Sequence, residues 1–134
     1  AIFRAESGLK AKQLIRNLTG ATHAAAWCDL SGQVLMLRED VGRHNALDKL
    51  IGAMTRAGTD ASQGFIAITS RASFEMVQKT AMARVGALVA VSAPTGLAIE
   101  TARQHGIALA GLVRDGRRLV AYTWPERLGL GEQG

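Results

Sequence analysis

The chain has little cysteine, proline or aromatic character: one cysteine, two prolines and 4% aromatic residues in 134. A single cysteine, Cys28, excludes an internal disulfide and any zinc cage built on cysteine pairs. Its setting, Ala24-Ala25-Ala26-Trp27-Cys28, is apolar. The expected thiol is therefore buried and inert, because a reactive one needs cationic neighbours and exposure. With so few aromatics there is no stacking platform for bases, and the net charge of +5 is spread without a dense block, so nucleic acid is not the expected partner. That charge suits an anionic ligand or an acidic partner instead. No apolar run approaches the roughly 20 residues that span a bilayer. The first residues, Ala1-Ile2-Phe3-Arg4-Ala5-Glu6, lack the apolar core of a signal peptide. No membrane association is expected, and the cytoplasm is the expected setting. The chain opens on Ala1 rather than methionine, which fits a portion of a longer protein.

Several catalytic signatures are also missing. The three histidines form no His-x-x-x-His or His-x-Glu pattern, so no metal site is expected. Gly-x-Ser-x-Gly is absent, which argues against a serine hydrolase of that type. No Gly-x-x-x-x-Gly-Lys phosphate loop occurs. His105, near the end of an expected helix, reads as structural.

What is present is one domain's worth of alternating patterns. Hydrophobic residues make up 48% of the chain, enough for a core. Residues 1–126 read as a single α/β domain and 127–134 as a flexible tail. Spacing of Ala11, Leu14, Ile15 and Leu18 predicts a helix over 9–18, stopped by Gly20. Residues 22–29 and 33–39 read as strands joined at Ser31-Gly32. A second helix is expected near Asn45, with Asn45 as N-cap and Asp48 completing a variant capping box. Its inward face is Leu47, Leu50, Ile51 and Met54, and Gly58 is its stop. Residues 65–69 and 88–91 are short buried strands. Between them a helix capped by Ser70 or Ser73 runs to about Val85, with Phe74, Val77 and Ala81 inward. Pro94-Thr95 opens another helix that ends at Gly106, and residues 107–114 and 118–124 form a closing hairpin. This order implies a mixed sheet with helices on both faces.

Ligands of such folds collect where strands lead into helices. Three segments of that kind are polar. In the first, Glu39 to Asn45, Arg43 is suited to fork onto a phosphate or carboxylate. His44 is suited to donate a hydrogen bond or shuttle a proton. Asn45 and the N–H groups behind it make an anion-friendly helix start. Asp48, Lys49 and Glu39 fit a solvated, salt-bridged face as well as they fit a site. The second segment, Thr69-Ser70-Arg71-Ala72-Ser73, offers hydroxyls and a guanidinium. The third, Ser92-Ala93-Pro94-Thr95-Gly96, reads on its own as helix punctuation. His23 precedes the first strand.

At these residues the chain resembles the formate dehydrogenase accessory protein family, FdhD/NarQ. The matching segments are Thr22-His23-Ala24, the run from Glu39 to Lys49, Ser70 to Val77 with Lys79, and Ser92 to Thr95 with Leu97-Ala98-Ile99. The resemblance implies a cytidine-deaminase-like α/β fold. It also implies a sulfurtransferase role: sulfur is taken from a cysteine desulfurase and passed to the guanine-dinucleotide form of the molybdenum cofactor (bis-molybdopterin guanine dinucleotide), for insertion into formate dehydrogenase. The family carries sulfur on a Cys-x-x-Cys pair upstream of the matching region, and this chain has no such pair. The expectation is therefore a C-terminal portion that binds the cofactor and is inactive in transfer by itself. Its binding residues would be His23, Arg43, His44, Asn45, Ser70, Arg71, Ser92 and Thr95, with a guanine nucleotide as a mimic of the ligand. The zinc motif of deaminases is missing, so the fold does not imply deamination.

Two other readings stand beside this one. The first is a module that presents the cofactor without chemistry, and the second a metal-independent nucleotide hydrolase with His44 as base. A homodimer through alanine-rich surfaces is compatible with each.

Overall fold

The structure, a computed structural model, describes residues 23–31, 33–90, 94–112 and 119–123. The expected helix over 9–18, the turn glycine Gly32, Ser92, the tip of the closing hairpin and the tail all lie outside these residues.

Among the described residues, six strands form one mixed sheet: β1 (His23–Asp29), β2 (Val34–Asp40), β3 (Gly64–Ile68), β4 (Ala87–Ala90), β5 (Ala108–Leu112) and β6 (Leu119–Ala121). Their spatial order is β2-β1-β3-β4-β5-β6. β1 runs antiparallel to both β2 and β3, while β3, β4 and β5 are parallel. β6 folds back antiparallel on β5. The helices are α1 (Arg43–Ala57), α2 (Phe74–Met82) and α3 (Gly96–His105).

Side chains alternate across a strand, so each strand feeds two faces. Ala25, Trp27, Ile66, Ile68, Leu88, Ala90 and Leu109 face one way. Against them pack Leu47, Leu50 and Met54 of α1, Met76 and Val77 of α2, and Ala98 and Ala102 of α3. The inward face of α2 is Met76, Val77 and Thr80, with Phe74 and Ala81 only partly buried. That differs from the expected Phe74, Val77 and Ala81. α2 packs against α3 as well as the sheet, so its buried stripe is rotated from the one a single contact would select. The opposite face holds Ala24, Ala26 and Cys28, flanked by Val34, Leu37, Phe65 and Ala67. All three described helices share the first face.

β2 is the outer strand, and among the described residues its one partner is β1. The pairing shifts between Trp27↔Met36 and Cys28↔Val34, which leaves Leu35 as a bulge residue, 52% exposed. Ala24 exchanges bonds with Thr69 on the β3 side, so His23 and Ala25 present their backbone groups to β2. Their partners Asp40 and Arg38 therefore face inward, and the carbonyls of Leu37 and Glu39 face outward. A cation covers each: Arg38 Nη1 lies 2.7 Å from Leu37 O, and Lys49 Nζ lies 3.0 Å from Glu39 O.

Candidate functional site

The strand directions bring the polar segments to one edge of the sheet. β2, β3 and β4 end there, and β1 begins there. His23 pairs with Asp40 in register, Thr69 N donates to Ala24 O at 3.1 Å, and Thr95 N donates to Ala72 O at 3.1 Å. Segments far apart in sequence are thus tied side by side by backbone contacts.

The β2–α1 turn is organised by Asp40. Its Oδ1 accepts from Gly42 N at 2.9 Å and from Asn45 Nδ2 at 3.5 Å, and Lys49 Nζ lies 2.7 Å from Oδ2. The Gly42 amide and then the Lys49 ammonium hold the carboxyl down at about 2, against an ordinary 3.8. This arrangement corrects the expected helix start. Helix α1 begins at Arg43 with Gly42 as its N-cap, and no side chain caps it. Asn45 lies in the first turn and reaches back to Asp40, because Asp40 has already shaped the turn two residues earlier. Asp48 likewise forms no capping box; it pairs with Lys79 of α2 at 2.9 Å. Arg43 and Asn45 are exposed and His44 is half-buried.

In the β3–α2 segment, Thr69 bonds Ala24 through both its backbone and its hydroxyl. Ser70 is buried, its hydroxyl 3.8 Å from Met76 Sδ. Arg71 is exposed. Ser73 is the N-cap of α2, yet its hydroxyl makes no cap bond, and it is a buried side-chain oxygen with no partner among the described residues. Thr95 caps α3 by accepting from Ala98 N at 3.1 Å.

The edge therefore collects His23, Arg43, His44, Asn45, Ser70, Arg71 and Thr95, while Ser92 lies outside the described residues. Arg43 and Arg71 make no ion pair among the described residues, whereas the carboxylate of Asp40 is matched by Lys49. The guanidinium groups of Arg43 and Arg71 are thus uncommitted among the described residues, as are the exposed carboxylates of Glu39 and Glu75. Two residues at this edge were not singled out from the sequence, Asp40 and Ser73. Asp40 carried a signal, since an aspartate two residues before a glycine is a turn former. Ser73 reads as a possible helix cap and as one hydroxyl of its polar segment, without being named among the binding residues. Cys28 sits away from this edge, near the opposite end of β1. Burial, and secondarily the Asp29 charge, push its thiol up to about 12.

The fold and this edge define an α/β protein with a mixed sheet whose strand ends carry hydroxyls and two guanidinium groups that make no ion pair among the described residues. The FdhD/NarQ family model matches residues 1–129, and the chain belongs to that family. It is 59% identical over 128 residues to the sulfur carrier protein FdhD of Variovorax paradoxus, covering 96% of this chain and 46% of that protein. It is 56% identical over 131 residues to the protein of the same name from Xanthomonas campestris pv. campestris, covering 98% of this chain and 46% of that protein. The chain thus spans about half the length of these relatives. Among solved structures it is similar to that of a candidate formate dehydrogenase accessory protein from Desulfotalea psychrophila. The TM-score is 0.78 at 24% identity, over 92% of this chain and 57% of that one, a likeness of fold.

Proposed function

We propose that this chain is the cofactor-binding part of a sulfur-transfer protein that serves formate dehydrogenase. The ligand is the guanine-dinucleotide form of the molybdenum cofactor, held at the sheet edge by its nucleotide and phosphates. Arg43 and Arg71 neutralise phosphate. His23, His44, Asn45, Ser70, Ser92 and Thr95 orient the rest. Supporting this reading are the membership of the FdhD/NarQ family and the names of its curated relatives. The observation that carries it furthest is the pair of guanidinium groups, Arg43 and Arg71, without carboxylate partners among the described residues, at an edge where Asp40 is already matched by Lys49. A polyanion fits such a donor set.

Sulfur itself would be carried elsewhere in the longer protein, on a Cys-x-x-Cys pair supplied from a cysteine desulfurase, because the Cys28 thiol here is fully buried. The overall fold is then of the cytidine-deaminase-like kind and the setting the cytoplasm. Calorimetric titration of the chain with GDP tests the binding. A charge-assisted bond to phosphate contributes roughly 1.5–3 kcal/mol, so Arg43→Ala with Arg71→Ala should weaken GDP at least about 100-fold. Undiminished binding overturns the proposal. Transfer of labelled sulfur by the full-length protein, lost when the Cys-x-x-Cys pair is replaced, tests the role of the whole.

A further inference from the structure

Asp40 is out of place by charge: a carboxylate stands where the reading above puts an anion. Its surroundings explain how it is tolerated and what it does. Lys49 Nζ, 2.7 Å from Oδ2, cancels the charge, and the same ammonium is anchored by the Glu39 carbonyl at 3.0 Å. Oδ1 meanwhile fixes the Gly42 amide at 2.9 Å and reaches the Asn45 side chain at 3.5 Å. Because α1 has no side-chain cap, this carboxylate is the described side chain that sets how the strand turns into the helix. Arg43 and His44 follow that turn directly. The Asp40 side chain is 17% exposed and Lys49 53%, so the carboxylate is partly buried while its counter-ion reaches the surface, as Arg43 does.

Building on the binding reading above, we infer that Asp40 is a positioning residue, which with its counter-ion Lys49 aims the β2–α1 turn at the phosphate end of the nucleotide. It acts through two separable properties. An oxygen acceptor holds the Gly42 amide, and a matched cation keeps the carboxylate from repelling phosphate.

The two properties are resolved by titrating GDP and uncharged guanosine into the full chain and its variants, with folding checked by circular dichroism. Asp40→Ala removes the acceptor and should weaken GDP about tenfold or more, with a smaller loss for guanosine. Asp40→Asn keeps an acceptor oxygen and leaves Lys49 uncancelled, so GDP binding should be restored to the parent level or tightened. Lys49→Met leaves the carboxylate uncancelled and should weaken GDP while sparing guanosine. The inference is overturned if Asp40→Asn loses as much GDP affinity as Asp40→Ala, or if Lys49→Met weakens both ligands equally. It is overturned too if Asp40→Ala binds GDP as the parent does. Should Asp40→Ala not fold, the Asp40→Asn and Lys49→Met pair decides by itself. A parent chain that binds no GDP removes the binding reading and this role together, whereas a parent that binds with indifferent variants removes only this role.

Discussion

Hydrogen bonding and burial move two side chains of this domain in opposite senses. Cys28 is sealed between strands, and its thiol is held protonated far above neutral pH. Asp40 accepts two amide donors and an ammonium, and its carboxyl is pulled from 3.8 to about 2. A carboxyl whose folded value lies below its unfolded one stabilises the fold at pH above the unfolded value. That contribution is lost as the pH falls from about 4 towards about 2. Asp60, lowered chiefly by the Ser62 hydroxyl and amide, acts in the same direction. Replacing Asp40 by Asn should therefore flatten, without abolishing, the acid limb of stability. Urea-unfolding midpoints between about pH 4 and 2 should depend less on pH in the variant than in the parent. An unchanged slope would show that the Asp40 contacts do not persist in solution.

At the scale of elements, the three described α-helices close with the same pair of backbone bonds on a left-handed residue, directly after the end in α1 and α3 and one residue later in α2. Gly58 and Gly106 have φ of 67° and 70°, and each is followed by a residue whose amide reaches back to the helix. Helix α2 closes with the same pair of bonds, Arg84 N to Ala81 O and Val85 N to Thr80 O, but on Arg84 at φ 64°. A side chain in this conformation costs roughly 1 kcal/mol, so Arg84→Gly should raise stability by up to about that amount in chemical denaturation. The difference also accounts for what the sequence discloses. The two glycine stops are legible, and the helices before them end where expected. The α2 stop is hidden by an arginine, so the periodicity runs on to about Val85 while the helix ends at Met82. Strand positions are readable because apolar runs such as Phe65 to Thr69 are short and bounded. The start of α1 is not, because its turn is set by Asp40 from within the strand rather than by a cap at Asn45. Contacts such as Asp48 with Lys79, or Thr95 N with Ala72 O, depend on tertiary neighbours and have no local pattern.

Taken whole, the described sheet has β2 at one side, guarded by the Leu35 bulge and by Arg38 and Lys49 on its outward carbonyls. Bulges and cations are the usual means of keeping an open strand from recruiting another chain. Arg38→Val frees the Leu37 carbonyl and adds an apolar, strand-favouring residue. It should promote concentration-dependent association, read by sedimentation velocity, whereas Arg38→Lys should not. Equal sedimentation of parent and both variants would show that the guanidinium does not guard the strand.

The direction of the strands has one more consequence. The polar edge is made from the beginning of β1 and the ends of β2, β3 and β4, so no part of the chain carries it alone. It exists only once β1 has inserted between β2 and β3, which joins the first described strand to distant ones. Occupancy of that edge is therefore linked to assembly of the whole domain rather than to the ordering of one loop. A ligand at a free concentration 100 times its Kd would add about 2.7 kcal/mol to global unfolding, and the slowest-exchanging amides of the core strands would register its arrival.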